Sequence, residues 1–379
     1  MTATTESSDV TSQSLIWSFQ GHDVYAQVFQ PTSGRNKQDF FGSMFAPMGA
    51  ASQKPCSVLL IHGFGCSSVY WRETAKALVQ AGYTVHAIDL LGQGQSAKPG
   101  RAQGIEYSTH LWAQQIDGYA QENVNPRHSI VVMGNSLGSV VALSVATGDF
   151  LVESNAKVAK QPYVATRIKG IGMYNCGVGM NSRNLLKDPS LNPLSKAIFT
   201  ALFDLLDALI FNNVPLLTYV LDKVVTKELL QNALTGLYKC AKDPASRVDE
   251  TLVDSFYVPA KQPGSVEALN QIYTNDAGPS PMEYHDRYAQ LGTAIPMHVI
   301  WGTEDNVTPL AGPVGQLYTK LAADETLKVT MNVIQAGHIP FDEIPECNMN
   351  MVEWLDGIQS TKKTSTIEQS PKGKGLFQF

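Results

Sequence analysis

Gly134-Asn135-Ser136-Leu137-Gly138 stands between a short apolar run at 129–133 and an apolar stretch of helical spacing at 139–146. The run suits a buried strand and the stretch suits a helix packed against it. A turn this tight from strand to helix leaves no room for a side chain at either end, which is the reason for Gly134 and Gly138. Ser136 is then held in a strained conformation with its Oγ exposed, above a helix N-terminus that favours developing negative charge. A Gly-x-Ser-x-Gly pattern alone arises by chance. Its position between this strand and this helix makes Ser136 a candidate nucleophile.

A serine hydroxyl is a poor nucleophile unless a base, oriented by a third group, takes its proton. Two later strands are followed by suitable residues. The run at 296–301 leads into Gly302-Thr303-Glu304-Asp305, and the run at 327–334 leads into Ala336-Gly337-His338. The chain order Ser136, Asp305, His338 is that of a nucleophile, acid and base on successive strand ends. Glu304 is the alternative acid, although its side chain is expected to point the other way. Asp342 and Glu343 are expected to cap the helix after His338 rather than to replace Asp305. Acyl transfer also needs donors aimed at an oxyanion. His62-Gly63-Phe64-Gly65 closes the strand at 57–61, and the backbone N–H groups of Phe64 and Leu137 are the candidate donors. His62 reads as a structural residue of that loop. The side chains of Phe64 and Trp71 either line the substrate pocket or belong to the core.

The rest of the chain supplies the setting for these residues. Segments at 14–19 and 24–29 flank Gln20-Gly21-His22-Asp23 and read as a hairpin. From Cys56 to about 177, short apolar runs alternate with helical segments, at 70–81 and 111–123 among others. That rhythm implies a mostly parallel sheet with helices on both faces. It breaks between 178 and 283, where only helical spacing is found, and then resumes. The expected division is a flexible segment at 1–13, an α/β core at 14–177 and 284–359, a helical cap inserted at 178–283, and a disordered Lys/Ser/Gly-rich tail at 360–379. The loop at 31–55 is unusually apolar, with Phe40, Phe41, Met44, Phe45 and Met48, and reads as a flap over the core or over a substrate. In the cap, Thr200, Asp204 and Asp207 form one narrow polar stripe on an otherwise apolar helix at 197–211. Such a helix must cover the core, a lipophilic pocket or a bilayer surface. It is too short and too acidic to span a membrane.

A net charge of −6, with no basic stripe, argues against nucleic acid as a partner. The five cysteines are scattered and form no Cys-x-x-Cys, so neither a metal site nor a disulfide framework is expected, and no cofactor is called for. Gly92-Gln93-Gly94-Gln95-Ser96 follows a strand but lacks the third glycine and the helix of a phosphate cradle. Ser in place of Asp at the turn disfavours the alkyl-enzyme chemistry of epoxide hydrolases and dehalogenases. The first dozen residues hold no secretory signal and no Arg-rich transit peptide. The chain is therefore expected either in the cytoplasm or with a processed start.

Three blocks of sequence carry a resemblance. They are Leu60-Ile-His-Gly-Phe-Gly65 with Tyr70-Trp71-Arg72 and Ala87-Ile-Asp-Leu-Leu-Gly-Gln-Gly94, Val131-Val-Met-Gly-Asn-Ser-Leu-Gly138, and Trp301-Gly302, Asp305 and Thr308–Gly315 with Ala336-Gly-His-Ile-Pro-Phe-Asp-Glu343. Together they resemble the chlorophyll dephytylase and pheophytinase group of serine hydrolases with the α/β-hydrolase fold. The cap matches only in being helical and apolar, and Ser139 stands where a third Gly is common. The resemblance implies hydrolysis of the phytyl ester of chlorophyll or a close derivative to chlorophyllide and phytol. It also implies a chloroplast location and peripheral association with the thylakoid membrane. The residues are also compatible with a general carboxylesterase or lipase acting on acyl lipids, and with a non-catalytic binding protein on the same scaffold.

Overall fold

The computed structural model describes residues 4–7, 10–31, 53–151, 163–187, 191–291 and 295–360. Its centre is a nine-stranded sheet in the order β1-β2-β3-β5-β4-β6-β7-β8-β9. The strands are β1 (Thr4–Ser7), β2 (Val10–Phe19), β3 (His22–Pro31), β4 (Cys56–Ile61), β5 (Thr84–Ile88), β6 (Ser129–Ser136), β7 (Ile168–Cys176), β8 (Met297–Gly302) and β9 (Val329–Ile334). Strands β4 to β9 run parallel, while β1, β2 and β3 form an antiparallel edge joined to β5.

Alternate residues of the central strands feed two separate cores, as the period of two demands. Leu59 and Ile61 of β4, with Ile130 and Val132 of β6, face one cluster. Val58 and Leu60, with Val131 and Met133, face the other. The first face is covered by α2 (Thr109–Asn123), α3 (Leu137–Thr147), α10 (Pro281–Leu291) and α11 (Pro313–Ala323). The second is covered by α1 (Arg72–Gln80), the short α12 (Pro340–Glu343) and α13 (Asn348–Ser360). All five cysteines are unpaired, and all but Cys240 are buried.

Between β7 and β8 the described residues hold no strand. They form α4 (Pro193–Leu206), continued by a π turn at Asp207–Phe211, then α5 (Val214–Tyr219), α6 (Lys227–Leu237), α7 (Pro244–Arg247), α8 (Glu250–Ala260) and α9 (Ser265–Thr274). Arg72 of α1 bridges these helices to the core. It donates to Asp342 in the core, at 2.9 and 3.1 Å, and to Asp249 and the Arg247 carbonyl in the insertion.

Several sequence expectations need correction. The hairpin pairs Val10–Phe19 with His22–Pro31, longer than its apolar pattern, and its turn is two residues and not four because Gln20 and Gly21 both take positive φ (50° and 83°), the primed turn that matches strand twist. The segment expected to be flexible at 1–13 contains β1 and the start of β2, a backbone ladder whose residues in 4–13 are polar except Val10 and carry no hydrophobic pattern. The loop between strands β3 and β4, with Phe40, Phe41, Met44, Phe45 and Met48, and the tail beyond Ser360 lie outside the described residues.

Trp71 belongs to the core and not to a pocket. Its indole is fully buried, stacked on Phe341 at 4.1 Å and tilted against Tyr174, with the Tyr70 ring edge-on at 4.9 Å. Four aromatic rings sharing one site exclude a substrate from it. Trp71→Ala should therefore lower unfolding stability by about 3–5 kcal/mol in urea titrations, as for other large-to-small core truncations. A cost below about 1 kcal/mol would return Trp71 to the pocket.

Candidate active site

The turn between β6 and α3 is as tight as its glycines suggest. A Cβ on Gly134 would sit 2.2 Å from the Gly138 carbonyl group, and one on Gly138 would sit 2.0 Å from the Ile61 carbonyl oxygen. Ser136 takes φ 52° and ψ −122°, a region that side chains avoid. The strain turns Ser136 out of the strand and into the wall of a cavity of about 360 Å³. Phe64, Met180, Leu185, Ile272 and Val307 give that cavity an apolar lining.

His338 follows β9 and Asp305 follows β8. His338 Nδ1 donates to Asp305 Oδ2 at 2.8 Å, which leaves Nε2 as the ring's free acceptor. Asp305 is surrounded by donors. Its Oδ1 accepts from the Val307 and Thr308 amides, at 2.7 and 3.0 Å. Its Oδ2 also accepts from Asn175 Nδ2 at 2.6 Å and from Thr308 Oγ1 at 2.7 Å. Burial alone would raise this carboxyl, but the bond to His338, its charge, and the bonds from Thr308 and Asn175 outweigh burial and hold it below the usual carboxylate range. Ser136 Oγ makes no hydrogen bond to His338 among the described residues. Catalytic hydrogen bonds of this kind commonly close only around substrate.

The two candidate oxyanion donors flank Ser136. Leu137 is the first residue of α3, where helix geometry leaves the N–H without an intrahelical acceptor. Phe64 lies on the loop after β4, and its ring lines the cavity, as expected of one of its two readings. His62 accepts from the Leu90 amide at Nε2 (2.9 Å), which fixes Nδ1 as the protonated nitrogen, donating to the Gly63 carbonyl at 2.7 Å. Burial also depresses its pKa. Both ring nitrogens are committed, so His62 is structural.

The remaining carboxylates have other partners. Glu304 is exposed and pairs with Lys239 at 3.6 Å. Asp342 and Glu343 do not act as side-chain caps. Asp342 takes Arg72 and the Tyr238 hydroxyl, while Glu343 accepts from the Gly337 amide beside His338 and, at 2.7 Å, from the Cys240 amide in the insertion. The loop at Gly92–Ser96 wraps the Asp89 carboxylate, which accepts the Gln95 amide at 2.7 Å, so an acid already fills any anion site there. Among the described residues no cluster of three or more His, Cys, Asp or Glu side chains is placed to hold a metal.

Sequence reasoning misses the residues that hold the loops together. Asn135 donates to the His338 carbonyl at 3.1 Å and to the Tyr174 carbonyl at 3.0 Å. The Tyr70 hydroxyl accepts the Gly63 amide at 2.6 Å and donates to Asn135 Oδ1 at 3.3 Å. Asn175 has φ 44°, a left-handed conformation that short polar residues tolerate, and no sequence signal marks it beyond its place at the end of an apolar run.

A family model described as "Alpha/beta hydrolase family" matches residues 58–346. An uncharacterized protein of Mycobacterium tuberculosis is 24% identical over 304 residues, 78% of this chain and 74% of that protein. A protein of Arabidopsis thaliana described as "Probable lysophospholipase BODYGUARD 4" is 30% identical over 117 residues. That alignment spans 30% of this chain and 27% of the relative's own length. Among solved structures, the epoxide hydrolase CorEH superposes with a TM-score of 0.59 at 16% identity, over 93% of this chain and 99% of that one. A bromoperoxidase from Bacillus anthracis gives 0.58 at 15% identity, over 90% and 99%. At these identities the likeness concerns the fold.

The depressed Asp305 carboxyl links stability to pH. Its folded pKa lies below the unfolded value of about 3.9, so its contribution is complete above that pH and is lost as pH falls through the folded value. The stability gap between wild type and Asp305→Asn, measured by urea unfolding, is expected to be widest at neutral pH and to narrow below about pH 4. A gap that does not change with pH would show that the carboxylate is not held ionised by its donors.

Proposed function

Because the chain belongs to the α/β hydrolase family, we propose that it is a serine carboxylic-ester hydrolase acting on a lipophilic ester. The observation that carries the proposal is the strained Ser136 on the wall of an apolar cavity, with the bonded His338–Asp305 pair on neighbouring strand ends. His338 Nε2 takes the Ser136 proton as Oγ attacks the ester carbonyl. The Phe64 and Leu137 amides hold the oxyanion. On collapse the alcohol leaves with the proton from His338. Water then gives a proton to His338 and attacks the acyl-enzyme, which releases the acid and restores Ser136.

The substrate proposed is the phytyl ester of chlorophyll or a close derivative. Support comes from the resemblance of the three sequence blocks and from the apolar lining, which suits a long isoprenoid alcohol. A second reading, an acyl lipid such as a lysophospholipid, is favoured by two Arabidopsis relatives described as probable lysophospholipases, 30% and 34% identical over limited stretches. Purified enzyme given chlorophyll a, pheophytin a, a lysophospholipid and short nitrophenyl esters separates these, with chlorophyllide or pheophorbide plus phytol as the expected products. Activity confined to acyl lipids or short esters would overturn the pigment reading. Ser136→Ala should retain less than about a thousandth of the turnover and lose labelling by a fluorophosphonate probe. Wild-type protein that takes no label would instead be a binding protein on this scaffold.

A chloroplast location and peripheral contact with a thylakoid-type bilayer belong to the same proposal. Among the described residues no helix is long and apolar enough to cross a membrane. Helix α4 has no buried residue, and Leu194, Ile198, Leu202 and Leu205 expose one apolar stripe. Co-flotation with galactolipid vesicles is expected. Charge placed on the stripe by Leu202→Asp with Leu205→Asp should reduce flotation at least several-fold. Equal flotation of this variant would exclude α4 as the contact.

A further inference from the structure

Beside the cavity at Ser136 lies a second chamber of about 300 Å³. Leu221, Val225, Leu230, Phe256 and Leu269 of the helical insertion line it on one side. The Phe64-Gly65 turn and the loop at Gly92–Lys98 line it on the other. Phe64 and Ile272 line both spaces, so the Phe64 ring is a shared wall, resting edge-on against Tyr273 at 5.2 Å.

The polar groups of the chamber are almost all committed. Lys98 Nζ donates to the Gly94 and Ser96 carbonyls and to Gln262 Oε1, at 2.8, 3.1 and 2.6 Å. Its three donors are used, so the chamber does not offer a free cation to an anionic ligand. Ser265 Oγ is bonded to the Ala260 carbonyl. Gln93 differs. It is 4% exposed, and its Oε1 accepts the Gly65 amide at 2.7 Å, which fixes the amide's orientation. Nε2 is therefore a buried donor, and it has no partner. Nε2 is itself closed off from the chamber space, so the lining offered to a ligand is almost wholly apolar.

We propose that this second chamber holds one hydrocarbon limb of the ester whose carbonyl reacts at Ser136, through apolar contacts alone. The proposal rests on the ester-hydrolase reading above. Phe64 divides the substrate into two limbs: its amide serves the reacting carbonyl and its ring separates the limb in the chamber from the one in the cavity. The limb is an alkyl or isoprenoid chain, from either the acyl or the alcohol side.

Filling the chamber away from Ser136 tests this. Leu269→Trp and Ala260→Trp each place an indole in the chamber, and neither residue lines the reaction cavity. Nitrophenyl acetate should be hydrolysed within twofold of wild type by both variants. Two ester series, one lengthened on the acyl side and one on the alcohol side up to phytyl acetate, should show at least a tenfold loss in kcat/KM for long members of one series. The affected series identifies the limb. Chain-length dependence unchanged in both series, in either folded variant, would overturn the proposal. Binding of dansylundecanoic acid to Ser136→Ala gives a readout independent of hydrolysis, and Leu269→Trp added to it should weaken binding at least tenfold. Binding weakened in this way without hydrolysis of any ester would remove the esterase reading and keep the chamber. Hydrolysis with unchanged chain-length dependence in both series, and dansylundecanoic acid binding untouched by either tryptophan, would do the reverse.

Discussion

Among the tightest approaches in the molecule is that of Gly138 to the end of β4, where a Cβ would meet the Ile61 carbonyl oxygen at 2.0 Å. This contact lets helix α3 start directly against the parallel sheet. It also forces Ser136 into positive φ and brings the ends of β4 and β6 together. The loop after β4 carries Phe64, and the turn after β6 carries Ser136 and Leu137. One steric constraint therefore sets the distance between the candidate nucleophile and both candidate oxyanion donors. The cost of the Ser136 conformation is of order 1–3 kcal/mol, and the buried strands and helices on either side supply what holds it.

The loops carrying the base and the acid are tied to each other by backbone bonds, Glu304 N–H to the Ala336 carbonyl at 3.0 Å among them, and to the rest of the site by side-chain amides. Asn135 reaches the His338 carbonyl from one side of the elbow, while Asn175 reaches Asp305 from the end of the next strand. Tyr70 joins the Gly63 amide to Asn135, so the oxyanion loop and the base loop share one hydrogen-bonded chain. Glu343 continues it from Gly337 to Cys240, out of the core and into the helical insertion. Buried networks of this kind rigidify a site when each member has its partners.

The legible parts of the sequence are those in which a residue type is forced by geometry. Gly134 and Gly138, the alternation in β4 and β6, and the Asp and His after late strands each follow from backbone space or strand period. The missed parts depend on contacts between distant segments. Asn175 and Tyr70 have no local pattern that separates them from core residues, and Trp71 reads as a pocket or a core residue until Phe341 and Tyr174 are seen against it. The antiparallel edge at β1 is invisible for a different reason: it is held by backbone bonds between residues with no apolar period. Helix α4 reads as a cover, and its apolar composition is real. What composition does not encode is that one apolar stripe of it faces outward.

That outward stripe bears on how a lipophilic substrate would reach Ser136. The insertion is pinned to the core at Arg72, which ties Asp249 and the Arg247 carbonyl to Asp342, and at Glu343. On its other side, Arg183 bonds to Asp207 at the inner end of the polar stripe, beside a smaller pocket lined by Phe203, Leu206 and Phe211. That pocket shares Asn181, Ser182 and Tyr273 with the cavity at Ser136. The inner face of α4, through Phe203 and Leu206, thus adjoins the reaction cavity past Tyr273, on the opposite side of the helix from the outward stripe. A chain-bearing ester coming from a surface held by the stripe would therefore have to pass around α4, not along it, to reach Ser136. On its inner face the helix is the cover that its composition suggests, with Asp207 committed to Arg183 rather than left facing the substrate.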